Sequence, residues 1–103
     1  MEQFTIQAEA ASRCGGTRPS AIIGVVASGN LEILLERIEG TGCAIEVATS
    51  ATGFRPIWEA VIADFVQRTS PGGLRISIND GGARPDTVSL RLMQGVRLIS
   101  EVP

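Results

Sequence analysis

The sequence predicts an α+β fold: a two-layer sandwich with element order β-β-β-α-β-α, its four-stranded, mostly antiparallel sheet carrying both helices on one face. Three observations predict it. Apolar residues alternate at period two in residues 31–35, 43–47 and 74–78. The period becomes helical over 54–66 and again over 88–99. Strands with one apolar face and helices with one apolar stripe bury both by stacking in two layers. At 103 residues the chain fits one domain.

Residues 1–19 are expected to be a flexible N-terminal arm, because Ala8, Ala10 and Ala11 lead into Ser12-Arg13-Cys14-Gly15-Gly16-Thr17-Arg18-Pro19, small residues punctuated by Gly and Pro. The folded domain is then 20–103. Its first strand is Ser20–Ala27, short, apolar and β-branched. Ser28-Gly29-Asn30 breaks the run, and Leu31–Arg37 resumes it with Leu31, Ile33 and Leu35 on one face. Two such runs around a Gly-Asn turn form a β-hairpin, with Gly29 free to take positive φ. After the turn at 39–42, Cys43, Ile45 and Val47 share a face of a third strand.

Phe54, Ile57, Val61, Ile62, Phe65 and Val66 then fall at helical spacing, flanked by Trp58. Pro56 fits the first turn of that helix, and Thr69-Ser70-Pro71-Gly72-Gly73 ends it. Leu74–Asn79 alternates as the fourth strand, and Asp80-Gly81-Gly82-Ala83 is a loop. The segment from Pro85 to Ile99 places Val88, Leu92, Met93, Val96 and Ile99 on one helical face. Val88–Leu92 also alternates like a strand, but the full length of the segment exceeds a typical strand, so it is assigned as helix.

Composition closes many functions. The sequence has no His, no Tyr and no Lys; all nine basic residues are Arg. A His general base, a His metal ligand, a Lys Schiff base and a Tyr nucleophile are therefore excluded. Net charge −2 and pI near 5.0 have the wrong sign for nucleic-acid binding. No apolar run approaches the ~20 residues of a membrane helix, and the N-terminus has no signal-peptide pattern, so no membrane partner and a cytoplasmic location are expected. Cys14 and Cys43 have neither metal-ligand nor redox spacing. Such a chain carries a reactive group rather than supplying one.

Ser28 is the candidate carrier of that group. A Ser at a hairpin tip is ordinarily a turn former. Here Ala27 and Gly29 leave it unobstructed and no charged neighbour surrounds it. With no base beside it, it is a poor nucleophile but a suitable acceptor of a covalent group.

Gly24-Val25-Val26-Ala27-Ser28-Gly29-Asn30-Leu31-Glu32-Ile33-Leu34-Leu35-Glu36 resembles the N-terminal motif of the malonate decarboxylase acyl carrier family. The related citrate lyase carriers have a looser version. The resemblance returns at Ile78–Pro85 and at Val88–Leu92, and spans roughly residues 20–99. The apolar run after Ser28 and the later Asp80 loop favour malonate decarboxylase. One departure is Asn30, where the family usually has Asp; it removes a negative charge and keeps a turn-forming residue.

The resemblance implies that Ser28 carries 2'-(5''-phosphoribosyl)-3'-dephospho-coenzyme A through a phosphodiester, with Gly29 and Asn30 shaping the turn. It implies a non-catalytic subunit whose tethered thiol holds acetyl or malonyl. An acyltransferase subunit and decarboxylase subunits of the complex would act on that thioester, and a phosphoribosyl-dephospho-coenzyme A transferase would install the arm. The alternatives are the carrier subunit of citrate lyase or citramalate lyase, and a small α+β interaction module without cofactor.

Other residues are weighed beside Ser28. Asp80 with Gly81 and Gly82 is either a tight strand-to-helix connection or a contact for cofactor phosphates. Arg75, Arg84, Arg91 and Arg97 are either solvated or positioned for phosphates or an acidic partner. Trp58 either packs at the core edge or anchors a partner. Cys43 is expected buried and inert, and Cys14 exposed on the arm.

Overall fold

The computed structural model describes residues 2–24 and 30–101. The elements are β1 (Glu2–Glu9), β2 (Ser20–Ile23), β3 (Leu31–Arg37), β4 (Gly42–Thr49), α1 (Arg55–Thr69), β5 (Leu74–Asp80) and α2 (Pro85–Ile99). They form one five-stranded sheet in the order β1-β4-β5-β3-β2. Three pairings are antiparallel and one, β4 with β5, is parallel. The α+β class and the mostly antiparallel sheet hold; the strand count is five rather than four.

One face of the sheet makes the core. Leu31, Ile33 and Leu35 of β3, Cys43, Ile45 and Val47 of β4, and Leu74, Ile76 and Ile78 of β5 are all buried. Trp58, Ile62 and Phe65 of α1 and Val88, Leu92 and Ile99 of α2 close over them. Both helices lie on this face, as the single apolar face of each strand requires. The opposite face carries half-buried or exposed side chains such as Glu32, Glu36, Glu46, Arg75, Ser77 and Asn79.

The expected arm is corrected by the structure. Glu2–Glu9 is an edge strand paired antiparallel to β4 from Glu2↔Thr49 to Glu9↔Gly42. Phe4, Ile6 and Ala8 point inward against the core, and the Arg55 guanidinium of α1 lies 5.0 Å from the Phe4 ring centre. Residues 10–19 are tied down as well. The Cys14 amide donates to the Gly72 carbonyl at 2.7 Å, and the Gly72 amide donates to the Ser12 carbonyl at 3.2 Å. The Arg37 guanidinium donates to the carbonyls of Cys14, Gly15, Arg18 and Ile99. Cys14 is thereby buried rather than exposed.

Both helices start with a proline in the first turn, where its missing N–H costs nothing. α1 ends at Ser70 in the left-handed region, with its N–H on the Val66 carbonyl. Gly95 within α2 has a packing reason: a Cβ there would lie 2.7 Å from Leu35 Cδ1, so its absence lets the helix press onto β3. Met93, expected on the buried stripe of α2, is 40% exposed; the stripe is Val88, Leu92, Gly95 and Ile99.

Candidate functional site

The two runs expected to flank Ser28 are paired antiparallel as β2 and β3, from Ser20↔Glu36 to Ile23↔Ile33. Ser28 and Gly29 lie outside the described residues, as does 25–27 of the expected first strand. Gly24 has φ +74, and a Cβ there would fall 2.6 Å from the Leu31 carbonyl oxygen, so this position needs glycine. Asn30 has φ 56, a left-handed conformation that Asn tolerates better than most residues. Its carbonyl accepts a 2.7 Å hydrogen bond from the Gly81 amide, which ties the end of the connection to the Asp80 loop.

That loop is held from below. Asp80 is 8% exposed; its Oδ2 accepts from the Thr49 hydroxyl at 2.7 Å, and its Oδ1 accepts from the Ala83 amide at 2.7 Å. The Ser50 amide donates to the Asp80 carbonyl at 2.9 Å, and the Ala51 amide donates to Thr49 Oγ1 at 3.1 Å. Both carboxylate oxygens of Asp80 are thus engaged in joining the ends of β4 and β5 to the start of α2. The tight-connection reading of Asp80 holds, and the loop does adjoin the Ser28 hairpin.

Beside this loop is an apolar groove of about 400 Å³. Phe54, Ile57, Trp58 and Val61 line it from α1 and its lead-in, and Ala83, Pro85 and Val88 line it from α2 and the loop before it. Asp80, Gly82 and Arg84 supply its polar lining. The periodicity of α1 contains a signal for it. The residues buried in the core are Trp58, Ile62 and Phe65, whereas Phe54 and Ile57 stay 48% and 44% exposed. The apolar stripe is wider than the core needs, and the surplus walls the groove.

Of the remaining candidates, Arg84 and Trp58 line the groove, and Arg75, Arg91 and Arg97 lie outside its lining. Arg75 pairs with Glu46 at 2.6 Å on the open face of the sheet. Arg84 is exposed and lies 3.4 Å from Asp86. Arg91 reaches Gln94 at 3.4 Å, and Arg97 sits in the last turn of α2, favourable toward the helix dipole. Trp58 packs in the core as well as lining the groove. Cys43 is buried as expected; burial and the neighbouring Cys14 push its thiol up to about 12. Burial also raises Cys14, with Arg37 opposing. Arg37, which binds four carbonyls, is marked by nothing in its local sequence. Among the described residues no helix is long and apolar enough to cross a membrane.

Comparison with known proteins matches this geometry to a family. Residues 18–99 match the family model described as malonate decarboxylase delta subunit. The chain is 59% identical over 102 residues to the malonate decarboxylase acyl carrier protein of Bradyrhizobium diazoefficiens, covering 98% of this chain and 97% of that one. It is 54% identical over 83 residues to the corresponding protein of Burkholderia cepacia, covering 81% and 77%. A chain in the crystal structure of a Pseudomonas malonate decarboxylase hetero-tetramer in complex with malonate superposes with TM-score 0.84 at 35% identity, over 96% of this chain and 99% of that one. A single fold, a tethered hairpin and matches over nearly the whole chain lead to one assignment: the chain belongs to the malonate decarboxylase acyl carrier family.

Proposed function

We propose that this chain is the non-catalytic acyl carrier of a biotin-independent malonate decarboxylase, with Ser28 joined by a phosphodiester to 2'-(5''-phosphoribosyl)-3'-dephospho-coenzyme A. The observation that carries the proposal is the anchoring of the Ser28 segment. It emerges at Gly24, where only glycine fits, and returns at Asn30, which is bonded to the Asp80 loop. The residues around it suit such a group. The Asp80 loop offers the side-chain-free Gly81-Gly82 stretch, with open space where a Gly82 Cβ would stand, and Arg84 brings a cation beside an apolar groove.

When attached, the group supplies a terminal thiol that holds acetyl or malonyl as a thioester. The chain's own task is mechanical. β2 and β3 flank the tether point, and Asn30 holds a left-handed conformation on its far side. The partners are an acyltransferase subunit, decarboxylase subunits and the transferase that installs the arm. Their chemistry needs no base or nucleophile from this chain, which accords with the absence of His, Lys and Tyr.

The test is the intact mass of the protein produced with its transferase, followed by fragmentation of the peptide containing Ser28. The expected result is a mass increase of one phosphoribosyl-dephospho-coenzyme A group on Ser28. Ser28→Ala is expected to keep the wild-type circular dichroism spectrum and to gain no mass. A mass increase that persists in Ser28→Ala would place the tether elsewhere.

A further inference from the structure

We infer that the groove between the first turns of α1 and α2 is a seat for the adenosine portion of the covalent arm. The inference rests on the reading that Ser28 carries that arm. Three features support it together: reach, shape and charge.

Reach follows from covalent connectivity. Ser28 is two residues from Asn30, so their Cα atoms lie within about 7 Å. The Asn30 carbonyl is bonded to the Gly81 amide, and the residues on either side, Asp80 and Gly82, both line the groove. The order of units along the arm then selects the occupant. From the serine oxygen come a phosphate and a ribose, then the adenosine, and only afterwards the diphosphate and pantetheine. The adenine is the flat, weakly polar unit nearest the tether.

Shape and charge agree with that unit. A volume of about 400 Å³ lies within the range of small-molecule sites. The lining is apolar and aromatic, with Phe54 and Ile57 leaving nearly half their surface uncovered. Arg84 is the cation of the lining and suits the diphosphate that follows the adenosine. Asp80, the acid of the lining, has its two oxygens turned to the Thr49 hydroxyl and the Ala83 amide. Pantetheine is a poorer occupant, because its thiol must reach partner subunits and burying it here would hide the acyl group. Tethering raises the effective concentration of the base at the groove, so weak intrinsic affinity suffices.

Trp58, the single tryptophan of the sequence, lines the groove and reports on it. The experiment compares protein made with and without the transferase, sorted by intact mass, using Trp58 emission and backbone amide shifts. In protein whose mass shows the arm, shifts are expected at Phe54–Trp58, Ala83 and Arg84. Dephospho-coenzyme A added to the unmodified chain should reproduce them saturably, and pantetheine should not. Ile57→Glu, at an exposed position, should keep the arm by mass, lose the groove shifts and weaken dephospho-coenzyme A at least tenfold; Phe54→Ala serves if that variant unfolds.

Shifts confined to Gly24 and Asn30 in mass-confirmed modified protein would overturn the assignment. So would a response to pantetheine, or groove shifts that appear only with a partner subunit added. If no arm is found by mass, the attachment reading fails separately. The groove assignment is then decided by the dephospho-coenzyme A titration alone: saturable groove shifts sustain it, and none overturns it.

Discussion

Arg37 is expected to be the residue whose loss most loosens the chain's N-terminal third. Its guanidinium donates to the carbonyls of Cys14 and Ile99, each at 2.9 Å, and to those of Arg18 and Gly15. It therefore joins the 14–18 segment to β3 and to the end of α2. Three of the four bonds are partly buried, and each is worth about 1 kcal/mol net, so Arg37→Met should cost about 3 kcal/mol. Met keeps the apolar stem, so the loss reports the head group. With a urea slope of about 1.5 kcal/mol/M for a chain of this size, the unfolding midpoint should fall by about 2 M. Arg37→Lys should lose more than half as much, because an ammonium keeps the charge but not the planar fork that spans several acceptors. Cys14 provides an independent readout: buried in the native chain, it should become reactive to a thiol-disulfide reagent in Arg37→Met while Cys43 stays protected. A midpoint shift below about 0.3 M, with Cys14 still protected, would refute the claim that these bonds hold the segment.

Gly24→Ala forces a Cβ to within 2.6 Å of the Leu31 carbonyl at φ +74, and should cost about 2 kcal/mol, read by calorimetry, and slow the attachment proposed at Ser28, read by timed mass spectra. Thr49→Val removes the hydroxyl that donates to Asp80 Oδ2; it should cost about 1–3 kcal/mol, with Thr49→Ser losing less, as measured by urea unfolding. Cys43 predicts the alkaline limit of stability. Its thiol is held up at about 12 in the folded chain against 9.0 ordinarily, so above pH 9 the unfolded chain binds fewer protons than the folded one. Stability from this group is complete below pH 9 and falls between about 9 and 12, by up to about 1.4 kcal/mol per pH unit. Cys43→Ala should flatten that part of the profile of urea midpoint against pH.

The elements from residue 20 onward were legible because each shows its period within a few residues. Leu31, Ile33 and Leu35 alternate, and Val88, Leu92 and Ile99 recur at helical spacing, and the structure buries these residues. β1 carries the same signal, with Phe4, Ile6 and Ala8 alternating against Gln3, Thr5 and Gln7. An arm is the wrong inference there because the small residues and glycines that follow describe a connection, not the strand before it. Cys14 follows the same logic: its burial comes from Gly72 and Arg37, distant in sequence and without local pattern. The pairing of β4 with β5 is likewise beyond local periodicity, since a strand's alternation does not name its neighbour. At the candidate site, Ser28 and Gly29 lie outside the described residues, while the groove draws Phe54 and Ile57 together with Ala83 and Pro85 from the starts of two helices distant in sequence.

The parallel pair explains why Asn30 and the groove adjoin. Because β4 and β5 run together, Thr49 and Asp80 end at the same edge of the sheet. The chain then leaves that edge twice to begin α1 and α2, so both helix starts, and the groove between them, belong to it. β3 runs against β5 and pairs Leu31 with Asp80, so the segment before β3 also enters from this edge. β2 runs against β3 and ends there with Ile23 opposite Ile33. Ile23 and Asn30, on the two sides of residues 25–29, thus both lie toward the carboxyl ends of β4 and β5, the position where sheets with helix-linked parallel strands leave a crevice for ligands. An antiparallel β4–β5 pair would have placed the start of α1 at the other edge and left Asn30 without a neighbouring groove. Both the Asn30–Gly81 bond and the Thr49–Asp80 bond cross this edge, so loosening either should disturb Asn30 more than an equal loss of stability at the far end of the sheet.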